Sequence, residues 1–97
     1  MARETYIVTY DICDPKRLRV VYQTCRAFGE HIQYSVFRCD LSPLTRARLV
    51  AALDVVINHL EDQVLLIPLG PTDTNPDVDV ESLGRPYRSR PRRVTIL

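Results

Sequence analysis

The sequence predicts an α+β fold: two helices on one face of an antiparallel sheet, in the split βαβ order. Three observations carry this. Strand-like and helix-like patterns alternate as strand, helix, broken strand, helix, strand. Both helical stretches open on a cap residue followed by proline, at Asp14-Pro15 and Ser42-Pro43. The long extended run between them changes parity halfway, as two paired strands or one bulged strand would.

Residues 4–11 read as the first strand, because Tyr6, Ile7, Val8, Thr9 and Tyr10 are β-branched or aromatic. Asp14 caps the first helix and Pro15 takes its first position. Leu18, Val21, Tyr22, Cys25 and Phe28 then recur at helical spacing as one apolar face. Gly29 is the expected stop. Residues 31–41 are extended again. Ile32, Tyr34 and Val36 share one side and Phe37, Cys39 and Leu41 the other, so a bulge, kink or tight hairpin is expected near Ser35 to Phe37. The second helix runs from Ser42-Pro43 to about Leu60, burying Leu49, Leu53, Val56 and Leu60. Arg46, Asp54 and Asn58 are its exposed positions. Residues 63–69 form the next strand, ended by Gly70-Pro71. The turn-rich stretch 71–77 leads to a weak strand at 78–83. A proline- and arginine-rich tether then reaches a last short strand, Arg93 to Leu97.

At 97 residues the chain is one domain, with a core over 4–70 and a variable tail over 71–97. No apolar run is long enough to span a bilayer, and the N-terminus passes directly into strand with no signal or transit pattern. The expected location is the cytoplasm. Cys13, Cys25 and Cys39 are odd in number and lack paired spacing, so neither a disulfide framework nor a zinc site is indicated. The net charge of +1 favours no class of partner, but its distribution is uneven. Acids gather at Asp73, Asp77, Asp79 and Glu81, and bases follow at Arg85, Arg88, Arg90, Arg92 and Arg93.

Helices cover only one face of such a sheet, so the other face should be polar. Yet the first strand is apolar at Ile7 as well as at Tyr6 and Val8, and the strand at 63–69 is apolar on both parities. A small domain also gains from further burial. A two-fold partner answers both needs, and the detached terminal strand suits pairing with that partner's sheet edge. A folded-back tail within one chain is the alternative.

Asp11 is the residue most suited to chemistry. It ends the first strand, and Asp14 already serves as the cap, so Asp11 is free for another use. One carboxylate is a poor metal site, because magnesium takes one or two carboxylates with waters and phosphates. Two copies of Asp11 across a dimer axis would supply the pair. Lys16, Arg19, Gln23 and Arg26 fall at i, i+3, i+7 and i+10 and make a polar, basic stripe, which suits a phosphate track or a solvated helix face. Arg17, at the helix start, would pair with Asp11 or meet a phosphate. His31 is the better candidate of the two histidines. No P-loop, dinucleotide fingerprint or Ser/His/Asp set is present.

Tyr10-Asp11-Ile12 with Asp14, the Arg17/Arg19 helix start, and Gln33-Tyr34-Ser35-Val36-Phe37 together resemble the second core protein of CRISPR adaptation modules. That family is the small partner of the adaptation integrase. The resemblance covers about residues 4–70. It implies a ferredoxin-like homodimer with exchanged C-terminal strands and the two Asp11 carboxylates as a catalytic magnesium site. It further implies roles in activity for Arg17, Arg19 and Phe37. By the same resemblance, His31 falls at a position where a relative can carry arginine.

Three functions follow as expectations. One is a magnesium-dependent endonuclease of spacer acquisition, hydrolysing phosphodiester bonds of single-stranded RNA or double-stranded DNA. A second is a non-catalytic, homodimeric bridge that holds duplex DNA for the integrase. The third is a small-ligand or regulatory domain of the same widely used fold.

Overall fold

The apolar alternation from Tyr6 to Tyr10 sets the first strand, β1 (Glu4–Asp11), at the centre of a four-stranded sheet. The structure is a computed structural model and describes residues 2–74 and 80–87. After β1 come α1 (Pro15–Phe28), β2 (Glu30–Gln33), β3 (Val36–Leu41), α2 (Pro43–Asp54) and β4 (Gln63–Pro71), with a short 3-10 turn over Thr72–Thr74. The strand order is β2-β3-β1-β4 and the pairings are antiparallel. This is the expected βαββαβ sandwich.

Both helix starts follow their sequence signals. Asp14 accepts from the Arg17 backbone N–H at 2.9 Å, and Pro15 occupies the first turn, where no intrahelical donor is needed. Ser42 and Thr45 cap each other reciprocally. The Thr45 N–H donates to Ser42 Oγ at 3.1 Å, and the Ser42 N–H donates to Thr45 Oγ1 at 2.8 Å.

Register decides which side chains meet the helices. Val8 lies opposite Phe37 on one side and Leu66 on the other, and Tyr10 lies opposite Val64. Directly opposed residues share a face. Val8, Tyr10, Phe37, Cys39 and Leu41 therefore meet Val21, Cys25, Leu49 and Leu53 in one core. Burial pushes the thiols of Cys25 and Cys39 up to about 11 and about 12, so both stay protonated and act as small apolar groups. The other face carries Ile7 opposite Ile67, and Thr9 opposite Leu65, with Leu65 and Ile67 each 44% exposed. This is the second apolar face that the sequence predicts. Arg38 is buried there beside Asp40, Nε to Oδ1 at 3.4 Å.

The parity change at residues 35–37 takes one of the expected forms, a tight hairpin, with Tyr34-Ser35 turning between β2 and β3. Three expectations are corrected. The second helix stops at Asp54, and Leu60 is 97% exposed rather than buried. Asn58 Oδ1 captures the N–H of Leu60 at 2.9 Å, and Asp62 captures the N–H of Asn58 at 2.8 Å, so local polar bonds replace helical ones. Leu18 is exposed, not part of the core. Residues 80–83 carry no strand. The terminal strand at 93–97 and the arginines at 88, 90, 92 and 93 lie outside the described residues.

Gly29 ends α1 as expected, but for a different reason. Its φ of −161° is extended backbone open to any residue. The constraint is proximity, because a Cβ at Gly29 would overlap the Arg38 carbonyl oxygen and Cys39 Sγ. Gly29→Ala is thus expected to cost about 1–3 kcal/mol, the range for overpacking a filled site. A thermal melt checks this, and a melting temperature equal to wild type would contradict it.

Candidate nucleic-acid interface

Asp11 is the last residue of β1, opposite Gln63 of β4, and its side chain is exposed. Among the described residues its carboxylate has no hydrogen bond and no ion pair, since Asp14 takes the capping role. It borders a groove of about 550 Å³ that is also lined by Tyr10, Ile12, Leu18, Arg19, Tyr22 and Tyr34. Leu18 is exposed because it faces this groove rather than the core. Burial, then the neighbouring Cys25 and Tyr22, push the Tyr10 hydroxyl up to about 12. It stays protonated at neutral pH and cannot serve as a base.

Lys16, Arg19, Gln23 and Arg26 are all exposed along α1. The stripe and the groove meet at Tyr22, whose hydroxyl lies 3.4 Å from Arg26 Nη1. Arg19 lines the groove itself. Neither Lys16 nor Arg19 has an acidic partner among the described residues, which leaves both free for an anionic ligand.

Arg17 points elsewhere. Its guanidinium forks onto Asp62, with Nε at 2.8 Å and Nη2 at 3.3 Å, and Glu61 lies 3.6 Å away. Neither sequence expectation, a pair with Asp11 or a free contact to phosphate, describes this arrangement. The Asp62 carboxylate also accepts from the backbone N–H of Cys13 at 3.0 Å and of Asn58 at 2.8 Å. One side chain thereby stitches the loop 58–62 to the segment that follows Asp11. The Arg17 hydrogen bond holds the Asp62 carboxyl well below the usual carboxylate range. Desolvation opposes this, while the two backbone donors reinforce it. Sequence reading missed Asp62, and nothing local marks it.

The depressed carboxyl has a pH signature. Its folded pKa lies below the unfolded value of about 4. The stabilisation is therefore complete above that pH and is lost as pH falls through the folded value. Asp62→Asn is expected to melt several degrees below wild type near neutrality, with the gap closing in strong acid. Thermal melts across pH check this, and a gap independent of pH would contradict it.

Phe37 is fully buried, so it does not touch a ligand directly as a nucleic-acid-binding residue would. Its ring lies beneath the groove, 6.2 Å from Tyr10, 5.7 Å from Tyr22 and 4.8 Å from His31. His31 is exposed, meets Tyr22 edge-on at 5.1 Å, and sets Nε2 2.6 Å from the Tyr34 carbonyl oxygen.

No group of three or more His, Cys, Asp or Glu side chains is arranged to hold a metal among the described residues. One chain brings one free carboxylate to the groove, a sparse donor set for a divalent cation, and a second copy would supply another. No helix among the described residues is long and apolar enough to cross a membrane.

The profile of a family described as CRISPR associated protein Cas2 matches residues 4–75. The chain is 38% identical over 96 residues to the CRISPR-associated endoribonuclease Cas2 1 of Rhodospirillum rubrum, covering 99% of this chain and 93% of that one. It is 37% identical over 92 residues to the CRISPR-associated endoribonuclease Cas2 of Geobacter sulfurreducens, covering 95% and 96% of the two chains. Its fold resembles the crystal structure of Streptococcus pyogenes Cas2 at pH 6.5, with a TM-score of 0.69 and 31% identity over 82% of this chain and 99% of that one.

Proposed function

The chain belongs to the CRISPR-associated protein Cas2 family, and we propose that it acts in spacer acquisition as a metal-dependent endonuclease on phosphodiester bonds. The observation that carries this reading is the free Asp11 carboxylate on a groove that also holds Arg19. RNA is the first substrate to test, because the relatives from Rhodospirillum rubrum and Geobacter sulfurreducens are named endoribonucleases.

The working unit is a homodimer. The apolar face of Ile7, Leu65 and Ile67 supports it, since such a face is stabilised by burial against a second copy. Exchange of the C-terminal strands, outside the described residues, belongs to the same proposal. Asp11 from each chain would hold the cation, magnesium or another divalent ion. When bound, the cation neutralises phosphate charge and activates water. The residues of the chain bind and orient the substrate. Arg19 takes a phosphate at the groove, and Lys16 and Arg26 extend the track along α1. Arg17 acts through Asp62 by fixing the segment after Asp11. Phe37 and His31 act by supporting the groove.

The exposed stripe also favours a second reading, a bridge that holds duplex DNA for the adaptation integrase without cutting it. A metal-titrated cleavage assay on single-stranded RNA and duplex DNA separates the two. The nuclease reading expects cleavage that rises with magnesium and stops with a chelator. Cleavage unaffected by chelator would overturn it. Salt-sensitive duplex binding with no cleavage at any metal concentration would favour the bridge.

A further inference from the structure

We infer that the groove beside Asp11 is a subsite for one unstacked nucleobase, with Tyr34 as its stacking platform. The inference rests on the nuclease reading and narrows it to substrates with a single-stranded stretch at the site.

Tyr34 carries the argument. It is 88% exposed, so its ring gains almost nothing from packing within the chain. Its φ is +36°, a left-handed conformation that L side chains other than Asn and Asp rarely adopt. The turn is nonetheless held on both sides. The Tyr34 carbonyl oxygen lies 2.6 Å from His31 Nε2, and the Ser35 carbonyl oxygen accepts from the Tyr10 backbone N–H at 3.2 Å. The second bond ties the turn to the strand residue next to Asp11. An aromatic side chain carried out into solvent on a strained turn with an anchored backbone suits a partner that brings its own flat apolar face.

The groove has the matching chemistry. Tyr10, Tyr22 and Leu18 give it aromatic and apolar walls, and its volume of about 550 Å³ lies within the ordinary range for small-ligand sites. Arg19 and Asp11 line the same space. A base on Tyr34 would bring its phosphate towards Arg19, with Lys16 and Arg26 available to the flanking phosphates. Bases in a duplex are already stacked and cannot offer a face to Tyr34, whereas single strands are commonly bound by aromatic stacking.

The test is binding in chelator, where cleavage is absent. The probes are a labelled single-stranded RNA, its DNA counterpart, a duplex of equal length, and an abasic oligonucleotide with the same phosphate count. Both single strands should bind the wild-type protein more tightly than the abasic probe. Tyr34→Ala should weaken single-strand binding by about 10-fold, the loss of one stacked base. It should leave abasic binding unchanged, and Tyr34→Phe should restore the preference. Equal binding of the abasic and single-stranded probes by wild type would overturn the subsite, as would Tyr34→Ala binding like wild type. Selective binding without cleavage in magnesium would support the subsite and overturn the nuclease reading. Cleavage in magnesium with equal abasic binding would overturn the subsite and leave that reading standing.

Discussion

Asp11→Ala is expected to lower metal-dependent cleavage by on the order of 10²-fold or more while leaving the fold intact. The size follows from what the side chain is asked to do. Losing a residue that merely orients a metal ligand typically costs 10- to about 100-fold in affinity or activity. Losing the one carboxylate that each chain contributes should reach or exceed the upper end. The fold is spared because the Asp11 side chain is exposed and makes no hydrogen bond or ion pair among the described residues, while its backbone place opposite Gln63 is kept by alanine. Its removal should change stability by no more than about 0.5 kcal/mol. Cleavage rates and thermal melts on the same preparations check both halves. Wild-type rates in Asp11→Ala would assign the activity to another site or another protein.

Phe37→Ala is expected to have the largest effect on stability, about 3–5 kcal/mol, the range for truncating a buried aromatic ring. Phe37 is fully buried, faces Val8 across the sheet, and contacts the rings of Tyr10, Tyr22 and His31. For a domain near 100 residues this corresponds to a melting temperature lower by roughly 15–30 °C. Such a loss can consume most of the stability of a small domain, so Phe37→Leu is the informative companion. It keeps the core apolar but withdraws the ring from beneath Tyr10 and Tyr22. Chemical denaturation of both variants measures the effect. A Phe37→Ala protein with wild-type stability would contradict the packing described here.

The elements legible in the sequence were those fixed by neighbouring residues. Asp14-Pro15 and Ser42-Pro43 start their helices because capping needs only an acceptor and a fixed φ within one turn. The strand at 4–11 followed from its β-branched and aromatic residues, and the second apolar face from apolar residues on both parities of the strands. What the sequence hid depends on distant partners or on local exceptions. Leu60 continues a helical period, but Asn58 and Asp62 divert the backbone first. Gly29 marks the correct boundary, yet its cause is the close approach of β3, which no turn rule contains. Tyr34 occupies a backbone conformation its residue type disfavours, so the hairpin was legible only as a break in parity. At the site, Asp11 and the exposed stripe were visible from position and spacing. Asp62 was not, because its partners Arg17 and Cys13 lie 45 and 49 residues away.

On the proposed function, Asp11 becomes a metal residue only where two copies meet. Titration calorimetry with magnesium or manganese, run beside a measurement of oligomeric state, tests it directly. One divalent ion per two chains is expected, bound by the dimer and lost in Asp11→Ala. An ion bound by each chain separately, or binding unchanged in Asp11→Ala, would contradict it.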